Sequence, residues 1–186
     1  MTREIVLAGV WMLGCAGAFG ADPAPAAVDW KAMLPAVQRA VREQFPKEAA
    51  NAHYAPAITL TADLAGTGGS EALVNLGSGG YSDDMTVMRL EGNTPVAARF
   101  RGRDGRISPM VFMAGLSDDK GEVVELVAKD HAVFSGHWTV NGPKLKECRG
   151  EAYQWDATAK NFGFDKKLSK TMTREFCLKV EAKLQH

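Results

Sequence analysis

Four arginines surround one predicted turn and could bind an anion. Arg99, Arg101, Arg103 and Arg106 flank the dipeptide Asp104-Gly105, which suits a two-residue hairpin turn. Because side chains alternate along a strand, this turn would place all four guanidinium groups on one face of one hairpin. Clustered like charge destabilises a sheet unless an anion neutralises it, and guanidinium groups bind phosphate and carboxylate well. The pattern predicts an anionic surface polymer, a phosphate headgroup or an acidic protein patch as partner. The alternative is an edge hairpin that positive charge protects from aggregation.

Acid–base chemistry has fewer candidates. The sequence contains no G-x-S-x-G, H-E-x-x-H or C-x-x-C motif and no phosphate-binding loop. His131 and His137 fall on one face of a predicted strand, with His137 beside Lys146, and this pattern favours a solvated face over a site. A small hydrolase would draw its acid and base from Asp83 or Asp84, which follow a glycine-rich loop.

The N-terminus is typical of an export signal. Ile5 to Leu13 is an unbroken apolar run, and it is too short for a membrane span, which needs roughly 20 apolar residues. We expect residues 1–20 to be a signal peptide and residues 21–28 a flexible linker, which places the mature chain in the periplasm or outside the cell. Met12-Leu13-Gly14-Cys15 also resembles an imperfect lipobox, so a lipid anchor at Cys15 is the alternative.

The two remaining cysteines, Cys148 and Cys177, belong to the folded part of the chain. In an exported domain such a pair is expected to form a disulfide bond. It would close a loop of about 30 residues and, in the chain-entropy account, stabilise the fold by about 3–4 kcal/mol. The alternative is a pair of buried free thiols.

The elements between these residues indicate an α+β, mainly β, fold in a single domain over residues 29–186. Asp29 can cap a helix that either begins or kinks at Pro35. From Ala57 to Phe164, short β-branched runs between turn residues predict an antiparallel meander of about seven to nine strands, in blade-like sheets or a sandwich. A C-terminal helix follows, and its apolar stripe consists of Met172, Phe176, Val180 and Leu184.

Turn residues also predict the register of two hairpins. A two-residue loop at Gly92-Asn93 would pair Arg89 with Val96, Val87 with Ala98, and Met85 with Phe100. A similar loop at Asn141-Gly142 would pair Trp138 with Leu145.

The segment from Asp63 to Val74 resembles the calcium loop and following strand of FG-GAP/VCBS-type β-propeller repeats. Asp63, Gly66, Gly68 and Glu71 match the pattern D-x-D-G-D-G-x-x-D/E. The resemblance implies a tight loop with Asp63 and Glu71 as metal ligands, although the family's other carboxylates fall on Ala65 and Thr67 here. Calcium takes about six to eight oxygen ligands, so a metal-free turn is the other interpretation. A full propeller does not fit in a chain of this length.

A disulfide-linked β scaffold without a recognisable reactive constellation favours a binding protein without excluding other classes. Basic and acidic residues both number 22, so no overall field attracts nucleic acid. We expect an exported, non-enzymatic binding or interaction module without a cofactor, such as an envelope protein or an inhibitor of a cell-wall or proteolytic enzyme. The alternatives are a small cell-envelope hydrolase and a structural domain with a degenerate calcium loop.

Overall fold

The computed structural model describes residues 28–66, 71–78 and 82–185. The expected signal peptide, Cys15 and residues 21–27 of the linker lie outside these residues. Strands make up 47% of the structure, and helices lie near both ends, so the expected mainly β, α+β fold is confirmed. The helices are α1 (Trp30–Gln44), α2 (Pro46–Ala50) and α3 (Lys166–Leu184), and a 3-10 turn spans Ala128–Asp130.

The described residues contain eleven strands, more than the seven to nine expected. They are β1 (Ala57–Ala62), β2 (Glu71–Asn75), β3 (Ser82–Glu91), β4 (Thr94–Ala97), β5 (Arg99–Arg101), β6 (Ile107–Pro109), β7 (Phe112–Leu116), β8 (Lys120–Val127), β9 (Ala132–Asn141), β10 (Lys144–Asp156) and β11 (Asn161–Phe164). The additional strands arise where short interruptions divide longer segments, at Ala98 and at residues 110–111.

The strands form one mostly antiparallel open sheet. Its order is β1-β2-β3-β7-β8-β9-β10-β11-β5-β6, and β4 also pairs with β3. Only Ala98 separates β4 from β5, yet β4 pairs with β3 while β5 pairs in parallel with β11. This short connection therefore brings distant parts of the sheet together, and the sheet curls around an aromatic core. Phe100 lies at the centre of that core, with ring centroids 5.1 Å from Phe162, 5.2 Å from Phe112 and 5.4 Å from Tyr153.

The Gly92-Asn93 hairpin has the predicted register over its first pairs. Arg89 lies opposite Val96, and the Ala98 amide donates to the Val87 carbonyl at 2.8 Å. The predicted pair of Met85 with Phe100 is wrong, because Met85 lies opposite Phe112 of β7. The chain departs from β3 at Ala98, and β7 instead of β5 pairs with the remaining part of β3.

The other two predicted turns are wider or shifted. Arg101 pairs with Ile107, so residues 102–106 form the connection instead of a two-residue turn at Asp104-Gly105. Asn141 pairs with Lys144, which shifts the next turn to Gly142-Pro143. A bulge between Leu145 and Glu147 then places Trp138 opposite Cys148, and the predicted pair of Trp138 with Leu145 is wrong.

Helix α1 begins before Pro35, which lies inside it. Asp29 caps the helix as predicted, since its carboxylate accepts a hydrogen bond from the Ala32 amide at 3.2 Å. Val37 and Val41 are fully buried in a core cluster that also contains residues of β2, β3 and β4. This helix therefore covers the part of the sheet away from the aromatic core.

Helix α3 packs against β9 and β10 through the predicted apolar stripe. Asp165 caps it by accepting a hydrogen bond from the Leu168 amide at 2.7 Å. The sulfur atoms of Cys148 and Cys177 are bonded, which fixes the middle of α3 to β10 as expected. Within the described ranges, no helix is long and apolar enough to cross a membrane.

Candidate ligand-binding groove

A groove of about 570 Å³ lies between the C-terminal turns of α3 and the strands β7, β8 and β9. Phe176, Val180 and Leu184 form its helical wall, because residues four apart lie on one face of a helix. Val123 and Trp138 form its floor on the sheet. Leu116, which is 69% exposed, lies at the end of β7 and lines the groove as well. The lining is therefore mainly apolar.

The disulfide and one aromatic contact attach α3 to the sheet beside the groove. Cys177 follows Phe176 on α3, and Cys148 lies opposite Trp138 on the sheet. The rings of Trp138 and Phe176 meet edge to face, with centroids 5.6 Å apart. The helix is thus attached to the sheet beside the groove floor, and its last turns continue past the attachment point.

Charged side chains line opposite walls of the groove. Lys179 and Lys183 come from α3, whereas Glu125 comes from β8; Glu122 of β8 also borders the groove, but its side chain points to the other face of the sheet. No ion pair joins either lysine to another residue in the described part of the chain. Glu122 differs from Glu125 because it already has a partner, His137. The groove therefore combines an apolar lining with a positive helical wall and one unpartnered carboxylate.

A polar cleft of about 440 Å³ occupies the other face of the sheet. Glu122 lies directly opposite His137, and its Oε1 accepts a hydrogen bond from His137 Nδ1 at 3.3 Å. Ser135 precedes His137 by two residues and lines the same cleft. A carboxylate on Nδ1 orients the imidazole and leaves Nε2 available to a proton or a ligand.

Glu151 connects an arginine and a tyrosine at the edge of this cleft. Its Oε1 lies 3.0 Å from Arg103 Nη2, and its Oε2 accepts a hydrogen bond from the Tyr153 hydroxyl at 2.5 Å. Burial, and then the hydrogen bond to this carboxylate, raise the pKa of Tyr153 above its ordinary value. The Arg103 guanidinium also lies 4.5 Å from the centre of the Phe164 ring. Tyr153 is therefore a neutral hydrogen-bond donor here.

The predicted arrangement of the four arginines on one face of one hairpin is wrong. Arg99 and Arg101 share an exposed face of β5, but Arg103 and Arg106 lie in the wider connection between β5 and β6. Carboxylates already neutralise three of these charges: Arg101 is 3.6 Å from Asp156, Arg103 3.0 Å from Glu151, and Arg106 3.4 Å from Asp104. The sequence did not reveal two of these pairs, because Glu151 and Asp156 of β10 are distant along the chain from Arg103 and Arg101.

Glu71 organises the loop that resembles a calcium site. It is only 3% exposed, and its Oε2 accepts hydrogen bonds from the amides of Leu64 at 2.8 Å and Ala65 at 3.3 Å. Burial raises the pKa of this carboxyl, and the two amides lower it in part. Asp63 is exposed. Over residues 28–66, 71–78 and 82–185, no group of three or more His, Cys, Asp or Glu residues could hold a metal ion.

The remaining predicted residues lie apart from one another. His131 precedes β9 in a left-handed conformation, φ 49°, and its Nδ1 donates to the Leu64 carbonyl at 2.9 Å. It is therefore not on a strand face with His137, which lies opposite Arg149 instead of Lys146. Asp83 and Asp84 lie on β3, opposite Ala114 and Met113. The histidine that lines the cleft, His137, is paired with Glu122 instead of Asp83 or Asp84.

The sequence contained a partial signal for the groove. The apolar stripe on α3 was visible, and Lys179 and Lys183 lie beside it at the same spacing of four residues. No comparable signal marked Glu122 and His137, which meet only through the pairing of two strands.

No protein-family model, no curated protein and no solved structure matches this chain. Its function is therefore inferred from the geometry of the groove and the cleft.

Proposed function

We propose that this chain is an exported, non-enzymatic binding module whose ligand places its apolar body in the groove beside α3. The main observation behind this proposal is the groove. It has a volume of about 570 Å³, and its lining includes Val123, Trp138, Phe176 and Val180. Sites for small molecules usually measure about 300–1,000 Å³ and are mostly apolar with a few polar groups. The groove has both properties.

The groove favours an amphiphile over a wholly apolar molecule. A long apolar chain would cover Val123 and Trp138, and a polar end would reach the lysines on the rim. Burying apolar surface contributes about 25 cal/mol for each Å² removed from water, so the chain would supply most of the affinity.

Export is supported by two features of the chain. The apolar run at Ile5 to Leu13 is typical of a signal peptide, and the Cys148–Cys177 disulfide is compatible with an oxidising compartment. Mass spectrometry of the native protein tests this part of the proposal. We expect a mature chain that starts near residue 21, or an acylated Cys15, and an intact Met1 would overturn it.

Quenching of Trp138 fluorescence tests ligand binding. A fatty acid brominated along its chain is titrated into the disulfide-bonded protein, and the same titration is repeated with W138F. We expect saturable quenching in the wild type and much weaker quenching in W138F, because the bromine would lie beside the indole.

Two leucines on α3 provide a matched pair of variants. Leu184 lines the groove, whereas Leu178 is 56% exposed elsewhere on the helix. We expect L184Q to weaken binding at least about fivefold and L178Q to leave it unchanged. Equal affinities for both variants, or no quenching in the wild type, would refute the proposed site.

A second candidate function is a small hydrolase of cell-envelope material, and the Glu122–His137 pair favours it. In this mechanism Glu122 orients the imidazole, His137 Nε2 accepts the proton, and the Ser135 hydroxyl is the nucleophile. A fluorophosphonate probe that labels serine nucleophiles tests it. Labelling of the wild type that S135A and H137Q abolish would support a hydrolase, and an unlabelled wild type would exclude this serine mechanism.

A further inference from the structure

We infer that the groove ligand is a phospholipid with an ethanolamine headgroup, its phosphate bound by Lys179 and Lys183 and its ammonium group by Glu125. This inference rests on the proposed function, and it specifies the ligand of the same groove. It depends on the distribution of charge over the two walls.

The positive wall fits a phosphate. Lys179 and Lys183 are one helical turn apart on α3, and both line the groove. Neither is bound to a carboxylate among the residues that the structure describes. Two ammonium groups beside an apolar lining form a site for an anionic group attached to an apolar chain.

The opposite wall adds a requirement for a cation. Glu125 is exposed on β8 and has no ion-pair partner in the described ranges, whereas the Glu122 carboxylate already binds His137. A purely anionic headgroup would gain from the lysines but would be repelled by Glu125. A zwitterionic headgroup with phosphate and ammonium matches both walls.

The chemistry of Glu125 favours a primary ammonium group over a quaternary one. A primary ammonium has three N–H donors for a carboxylate, whereas a quaternary ammonium has none and is usually bound by the faces of aromatic rings. The aromatic rings of the groove, Trp138 and Phe176, contact each other with their centroids 5.6 Å apart, and they do not form an open cage. Phosphoethanolamine therefore fits better than phosphocholine.

Three single-chain lysophospholipids with identical acyl chains test the inference, because they allow titration below micelle formation. Lysophosphatidylethanolamine, lysophosphatidylcholine and lysophosphatidylglycerol each compete with the brominated fatty acid for the disulfide-bonded protein. We expect the ethanolamine lipid to bind about three- to fivefold more tightly than the other two, as suits exposed charge pairs.

Charge variants then identify the contacts. E125Q should remove the preference for the ethanolamine over the glycerol headgroup, and K179Q/K183Q should weaken both lipids by a similar factor. K170Q, at an exposed lysine of α3 outside the groove, is the control and should change neither affinity. Thermal melts of each variant confirm that these exposed substitutions leave the fold intact.

Failure of the inference differs from failure of the proposed function. If all three lysolipids bind equally well, or if E125Q keeps the ethanolamine preference, the headgroup assignment is wrong while the groove remains a binding site. If neither the fatty acid nor any lysolipid binds, both proposals are wrong.

Discussion

The indole of Trp138 lies against Gly121 on the neighbouring strand, so close that a Cβ atom at residue 121 would fall 2.0 Å from the ring atom Cζ2. The two residues are a cross-strand pair of β8 and β9. Only glycine leaves room for the indole there, and the indole is the floor of the groove. The identity of residue 121 therefore determines the shape of a surface to which it contributes no side chain.

Substitution of Gly121 tests this relationship. G121A should destabilise the protein by about 1–3 kcal/mol, because the added methyl group forces the indole or the strand to move. Urea unfolding of the variant and the wild type measures the difference. In a W138L background the same substitution should cost much less, since the obstructing ring is gone. Equal costs in both backgrounds would attribute the effect to the backbone of residue 121.

Removal of the disulfide should weaken both the fold and the groove. C148S/C177S loses a cross-link between residues 29 positions apart, and we expect the free energy of unfolding to fall by about 3–4 kcal/mol. Urea unfolding of the double variant measures this loss. The wild type in reducing buffer should unfold at a similar urea concentration, and an unchanged midpoint for both samples would contradict the prediction.

Ser169 connects α3 to the sheet through a buried hydroxyl group. Its Oγ accepts a hydrogen bond from the Ala152 amide at 2.8 Å and donates to the Asp165 carbonyl at 2.6 Å. S169A should destabilise the protein by about 1–3 kcal/mol, because the amide of Ala152 loses its acceptor. Thr171 is exposed on the same helix, so T171A should change the stability by less than about 0.5 kcal/mol. Similar losses in both variants would contradict a specific role for the buried hydroxyl, because alanine has a higher helix propensity than serine or threonine.

Glu71 should make the stability depend on pH. Burial raises the pKa of this carboxyl above its ordinary value of 4.5, so the folded state binds the proton more readily than the unfolded state. The stability that this group contributes is then fully present at low pH and is lost as the pH rises through the raised pKa.

Comparison with E71Q isolates this effect, because glutamine does not titrate and keeps an acceptor oxygen for the Leu64 and Ala65 amides. The stability of the wild type relative to E71Q should be greater near about pH 4 than near about pH 7 in urea unfolding experiments. A difference that is constant with pH, or that grows as the pH rises, would contradict the assignment.

Local sequence signals predicted the elements that local interactions determine. The predicted capping residue Asp29 lies beside the helix that it caps. The stripe on α3 was visible from its spacing, and the cysteine pair followed from elimination. The register near Gly92-Asn93 was correct, because a two-residue turn determines which residues face each other.

Features set by packing between distant segments were not predictable in this way. The interruption at Ala98 depends on β11, which binds β5 and draws it away from β3. The bulge after Leu145 shifted the pairing of Trp138, and no residue type in the sequence marks it. Arg101 and Arg103 resembled members of a free cationic cluster because their partners on β10 come from a distant part of the sequence.

The groove was missed for a related reason. Its helical wall was visible in the sequence, but its floor depends on how α3 crosses β8 and β9. The disulfide and the contact of Phe176 with Trp138 determine that crossing. Neither feature tells a reader of the sequence that α3 also lies over β8. A site built between two elements requires their relative placement, which hydrophobic periodicity does not provide.

The parallel pairing of β5 with β11 has a consequence for the order of folding. Phe162 stacks on Phe100 in the aromatic core, so this core is incomplete until nearly the whole polypeptide has been synthesised. Contacts between such distant residues form slowly, which keeps a nascent chain loose for longer. The topology of the sheet therefore delays completion of the aromatic core.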